Sequence, residues 1–131
     1  MFRRKKNMTQ LTIELKVDIK DQDIDDIMVT ALEGGINYWC GRVRPFNNDY
    51  KGGDYASDVI SRGGSLILTD VEDEDETWEL TKKKFLSGLS KFLVRNSEPV
   101  MDDNTLDCGM IDAEGADMII QYALFNEIVF G

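Results

Sequence analysis

A chain of 131 residues that is 42% apolar is long enough for one compact core, and with twenty-five Asp and Glu against fifteen Lys and Arg it is strongly acidic. It has no histidine and only two, widely separated cysteines, which excludes Ser-His and Cys-His nucleophile pairs and leaves too few ligands for a structural zinc site. Residues 8–131 alone hold eleven bases against the twenty-five acids, a net charge of −14 that repels nucleic acid and anionic membranes and favours basic partners.

Residues 1–7, with Arg3, Arg4, Lys5 and Lys6, read as a flexible basic segment ahead of one globular domain over 8–131; a start at Met8 instead of Met1 would omit it. The residues that follow alternate with charge and supply no apolar core for a secretory leader, and no apolar run approaches the roughly 20 residues that span a bilayer. Together with the two lone cysteines, this points to a reducing, cytoplasmic setting without cofactor or membrane.

From Leu11 to Val17 every second residue is apolar, with Thr12, Glu14 and Lys16 between, which predicts a half-buried strand. Ile24, Ile27, Met28, Ala31 and Leu32 then fall on one helical face, Gly34-Gly35 supplies a stop, and Asp21, Asp23, Asp25 and Asp26 lie where negative charge suits a helix N-terminus. Ile36 to Val43 is rich in aromatic and β-branched residues and predicts a second strand. A long loop over Arg44 to Asp54, a short helix near Tyr55 to Arg62 and a strand at Ser65 to Thr69 follow. The acidic turn Asp70 to Glu76 leads to a hairpin partner, Thr77 to Leu80. Thr81 is placed to cap a helix with Phe85, Leu86, Leu89, Phe92 and Leu93 inward, and Asp112 a last helix with Ala116, Ile119, Ile120, Ala123 and Leu124 inward. Glu127 to Phe130 reads as a short closing strand. The expected fold is α+β, with three main helices packed on a largely antiparallel sheet of four to five short strands.

No Gly is followed by Lys and no Gly-x-Gly occurs, which excludes the P-loop and the dinucleotide fingerprint. Asp21 to Asp26 superficially resembles a calcium loop, but its sixth position is Asp26 where Gly is needed and its twelfth is Leu32 where Glu is needed. No metal site is expected, and no catalytic residue emerges from the abundant acids.

Two surfaces stand out. The first is the carboxylate run Glu72, Asp73, Glu74, Asp75 and Glu76, with Asp21, Asp23, Asp25 and Asp26 as a second acidic patch; these are the expected contacts to a basic partner. The second is the less acidic stretch from Tyr38 to Arg62, where Tyr38, Trp39, Arg42, Arg44 and Arg62 are candidates for an aromatic and arginine pocket for a nucleotide or other anion.

The run Asp25-Asp26-Ile27-Met28-Val29-Thr30-Ala31-Leu32-Glu33-Gly34-Gly35-Ile36-Asn37-Tyr38-Trp39-Cys40 and the tail Ala116-Asp117-Met118-Ile119-Ile120-Gln121-Tyr122-Ala123-Leu124-Phe125 resemble short uncharacterised acidic proteins of phages and mobile elements from Gram-positive bacteria. Asn126 stands where a helix-ending Gly is expected, a position whose left-handed conformation Asn tolerates. The resemblance implies a genomic setting and no catalytic motif. It leads to the expectation of a non-enzymatic inhibitor of a host defence or nucleic-acid-processing complex, anti-CRISPR-like in size and charge. That inhibitor would act in the bacterial cytoplasm on a basic, nucleic-acid-binding host protein without contacting nucleic acid itself. The alternatives are a protein that sequesters a small molecule or nucleotide, and a phage structural or assembly component that self-associates through apolar surface.

Overall fold

The structure is a computed structural model, and it describes residues 7–131. The basic segment expected over 1–7 therefore lies, Asn7 apart, outside the described residues. Among these there are three α-helices, α1 (Asp21–Thr30), α2 (Lys82–Arg95) and α3 (Ala113–Phe125), and one antiparallel sheet of β1 (Cys40–Pro45), β2 (Leu66–Asp70) and β3 (Thr77–Leu80) in the order β1-β2-β3. The α+β class is as expected; the sheet has three strands where four to five were predicted.

The helices begin and end for local reasons. Thr81 and Asp112 each accept a hydrogen bond from the backbone N–H three residues on, at Lys84 (3.2 Å) and Gly115 (2.8 Å), so two of the orphan donors of α2 and α3 are satisfied. Asp23 does the same for α1 in reverse, its carboxylate accepting the Lys20 N–H at 2.9 Å. α1 does not stop at Thr30 but widens into a π turn, Ala31–Gly35, and α3 ends at Asn126 with φ 62, the left-handed conformation expected there.

α2 and α3 approach closely because of one residue. A Cβ on Gly88 would lie 2.6 Å from the Ala123 amide nitrogen, so only glycine admits α3 at this distance. Phe85, Leu89, Phe92 and Leu93 of α2 are buried, and so are Ala116, Ile119 and Ile120 of α3; Leu86, expected inward, is exposed. These meet Ile24, Ile27 and Met28 of α1 and the core face of the sheet, Leu66 and Leu68, in one apolar cluster.

Three strand expectations need correction. Leu11 to Val17 is extended but has no strand partner among the described residues, with Leu11 79% and Ile13 80% exposed; its neighbour is helix α2, which offers side chains but no backbone partners. The first backbone contact comes only at Asp18, whose N–H reaches the Asn104 carbonyl at 2.8 Å. The second strand starts at Cys40 and not at Ile36, because the amides of both Trp39 and Cys40 fold back to the Ile36 carbonyl in a tight turn. Residues 127–130 form no strand either; a side chain of α3 takes over the bonding that a neighbouring strand would supply. The short helix expected near Tyr55 to Arg62 is a 3-10 turn, Ala56–Asp58, followed by irregular turns.

Candidate functional site

The four aspartates of α1 are engaged within the chain. Asp23 caps the helix, Asp25 accepts the Ser61 hydroxyl at 2.6 Å, Asp26 accepts the Gln22 side-chain amide at 2.8 Å, and Asp21 lies 3.8 Å from the Lys82 ammonium. Since Ser61 is buried, the Asp25 contact docks α1 on the segment before β2. Within this second acidic patch Asp23 and Asp25 serve the fold, while Asp21 and Asp26 stay exposed and make only surface contacts.

The turn between β2 and β3 behaves differently. Asp70 Oδ1 accepts the N–H groups of Glu72 (2.7 Å) and Asp73 (3.1 Å), and Asp73 Oδ1 accepts the N–H of Asp75 (3.0 Å). The Asp70 amide closes the turn on the Glu76 carbonyl at 2.9 Å. Two carboxylates thus shape the backbone, as Asp side chains do in Asx turns. The other four, on Glu72, Glu74, Asp75 and Glu76, are exposed and have no hydrogen-bond or ion-pair partner among the described residues. Nor do three acidic or cysteine side chains among these residues converge to hold a metal ion.

The cations do little to offset this. Lys84 donates to the Glu79 carbonyl at 2.8 Å, Lys82 to the Ser61 carbonyl and Arg62 to the Lys51 carbonyl, both at 3.4 Å, and Lys91 to the Asn126 carbonyl. Basic side chains therefore satisfy backbone oxygens, and the ion pairs among the described residues are Lys82–Asp21 and Lys51–Asp49 (3.3 Å).

The aromatic and arginine candidates are not gathered in one place. Trp39 is 1% exposed and donates its indole N–H to Asp117 Oδ1 at 2.7 Å, while the Tyr38 hydroxyl donates to Asp117 Oδ2 at 2.6 Å. Arg42 and Arg44 stand two residues apart on the exposed face of β1, opposite Thr69 and Ile67 of β2, and Arg62 braces the Lys51 turn. Tyr38 and Arg44 line separate cavities. The shared nucleotide pocket is corrected on this geometry: Trp39 is buried against protein and its polar atom is taken.

What Tyr38 and Trp39 build instead is a cluster around a buried carboxylate. Asp117 is 7% exposed, and its Oδ1 also accepts from Gln121 Nε2 at 2.9 Å. The Gln121 oxygen in turn accepts the N–H groups of Val129 and Phe130, both at 2.8 Å, and Phe130 stacks on Trp39 with ring centroids 5.1 Å apart and planes 5° off parallel. Every oxygen of Asp117 is thus hydrogen-bonded, the condition for burying a carboxylate at tolerable cost. Burial, then the Asp117 carboxylate, pushes the Tyr38 pKa up to about 12. Asp117 and Gln121 were absent from the sequence candidates. Their spacing of four in the apolar run after Glu114 was the available signal, since it puts two polar groups on one buried face.

Neither thiol is primed for chemistry. Burial raises the pKa of Cys40, and burial with the Asp23 carboxylate pushes Cys108 up to about 12, so both stay protonated at neutral pH. Among the described residues no helix is long and apolar enough to cross a membrane. A comparison with protein-family models gives no match, and comparisons with curated proteins and with solved structures give none.

Proposed function

We propose that the protein is a non-enzymatic acidic binding protein that inhibits a host defence or nucleic-acid-processing complex by placing carboxylates in a basic groove. Its proposed setting is a phage or mobile element acting in the bacterial cytoplasm; that part rests on the resemblance of residues 25–40 and 116–125. The observation that carries the reading is the turn at 70–76, where two aspartates fix the backbone and four further carboxylates stay exposed and have no partner among the described residues. A rigid anionic projection loses little conformational freedom on docking and complements a surface that otherwise holds phosphates. Glu72, Glu74, Asp75 and Glu76 are the contacts this geometry favours over the α1 aspartates, which have partners of their own.

The test is affinity capture from a Gram-positive host lysate with wild type and with the Glu72→Lys, Glu74→Lys, Glu76→Lys variant, at low and at high salt. A partner that wild type retains should be lost from the variant and released by salt, since exposed charges are screened beyond about 8 Å at physiological ionic strength, and wild type should displace DNA or RNA from it. Retention that ignores both the reversal and the salt refutes the reading.

A further inference from the structure

We infer that the extended segment Leu11–Ile19 is a pairing strand for the same segment of a second copy of this chain, in an antiparallel two-fold register centred on Leu15. Three observations meet here. The backbone of residues 9–17 makes no hydrogen bond among the described residues, although its alternation is that of a strand. Its apolar side chains share one face and are buried progressively less toward the N-terminus: Val17 and Ile19 pack against the core, Leu15 is 44% exposed and Ile13 80%. Beside them runs an open groove of about 690 Å³ between this segment and α2, lined mainly by apolar residues such as Ile13, Leu15, Leu86 and Val94, with Glu14 and Lys16 also at its wall. Leu86 and Val94 of that helix are themselves exposed.

The sequence of the segment selects its occupant. In an antiparallel pair centred on Leu15, Glu14 of each copy faces Lys16 of the other, Ile13 faces Val17, Leu11 faces Ile19 and Thr12 faces Asp18. Two ion pairs form on the polar face, and every apolar residue meets an apolar residue on the other. Neither Glu14 nor Lys16 has an ion-pair partner among the described residues. A shift by one residue would break the charge pairing and turn apolar side chains toward polar ones, so the register is specified. Such a contact is isologous, closes after two copies, and leaves both acidic turns free. The strand predicted at 11–17 then has its neighbour, on another chain.

Sedimentation velocity of the full chain over a range of protein concentrations tests this. Wild type should dimerise, more strongly as salt screens the repulsion between two acidic bodies. Glu14→Lys and Lys16→Glu should each weaken the dimer on the order of tenfold or more, by setting like charges opposite each other twice. The first makes the chain less acidic and the second more so, hence a loss in both cannot come from bulk charge. The double variant, which leaves net charge unchanged, should return to within about threefold of wild type. Ile13→Glu should abolish dimerisation with an unaltered circular dichroism spectrum, because Ile13 is exposed in the single copy. A chain that stays monomeric at every concentration overturns the proposal, as does a dimer indifferent to the single reversals or a double variant as weak as either.

Discussion

The two ends of this fold both read as short strands in sequence, the first by alternation and the second by an apolar run, and they have different fates. Residues 11–17 and 127–130 both carry the apolar pattern of a short strand, and neither is one. The C-terminal segment is nonetheless fixed: Gln121 accepts the amides of Val129 and Phe130, its amide group donates to the Phe130 carbonyl at 3.2 Å, and the Phe130 ring lies flat on Trp39. A single carboxamide offers an acceptor and a donor in the spacing of a neighbouring backbone, and it replaces the missing strand. The N-terminal segment packs through Val17 against the core and lies beside α2, with no backbone hydrogen bond from residues 9–17 among the described residues. Apolar alternation thus gives a segment its face, whereas a hydrogen-bonding neighbour gives it a place.

The sharpest way to break this contrast is to remove what orients Gln121. Asp117→Ala leaves the Trp39 indole N–H, the Tyr38 hydroxyl and one Gln121 amide proton without their shared acceptor. Hydrogen bonds to a charged group contribute about 1.5–3 kcal/mol each, with losses from one cluster less than additive, so urea denaturation should register a loss of about 3–5 kcal/mol. A loss under about 1 kcal/mol would show that the carboxylate is dispensable.

Next in size are the tail contacts themselves. Phe130→Ala removes a half-buried ring from the Trp39 stack, and Gln121→Ala removes the tail's surrogate strand; each should cost about 1–3 kcal/mol. Both should expose the amides of Val129 and Phe130 to fast hydrogen exchange. If Gln121→Ala leaves those amides protected, apolar packing alone holds the tail.

How much of this was legible beforehand follows the range of each interaction. Helix faces and caps are local: Ile24, Ile27 and Met28, the Thr81 and Asp112 caps and the left-handed Asn126 follow from residues three or four positions apart. The hairpin around 70–76 is equally local. Tyr38 and Trp39 stand out in the sequence only as candidates for an alternative ligand pocket, because the carboxylate that binds them lies 79 and 78 positions away, on a helix whose approach no short-range pattern encodes. Among the α1 aspartates the local roles near the helix start are legible, whereas the docking of Asp25 is not, since the buried Ser61 it binds is 36 residues distant.

A smaller effect tests the same cluster by pH. Tyr38 keeps its proton up to about 12 when folded, against 10.0 ordinarily, because burial and the facing Asp117 and Glu114 carboxylates disfavour the phenolate. Below pH 10 folded and unfolded chains are both protonated and the stability is fully present. Above it the unfolded chain releases the proton first, so stability falls as pH rises through the folded value. Tyr38 is 52% exposed and solvent screens the effect, which should stay below about 1 kcal/mol. Urea midpoints at about pH 9 and about pH 11 should differ more for wild type than for Tyr38→Phe, a comparison that cancels every other titrating group. Equal differences would place Tyr38 outside the pH response.

The smallest expected effect lies at the other end of the molecule. Leu11→Ala and Ile13→Ala truncate side chains that are about four-fifths exposed in the single copy and touch no backbone partner. At protein concentrations low enough to keep the chain monomeric, each should change stability by less than about 0.5 kcal/mol. The comparison with Phe130→Ala is then direct, since both ends lose apolar surface and only the C-terminal one loses a fitted contact. Should Ile13→Ala instead cost as much as Phe130→Ala in the dilute monomer, the N-terminal segment would be held by its own chain, through packing on α2 tighter than its exposure implies.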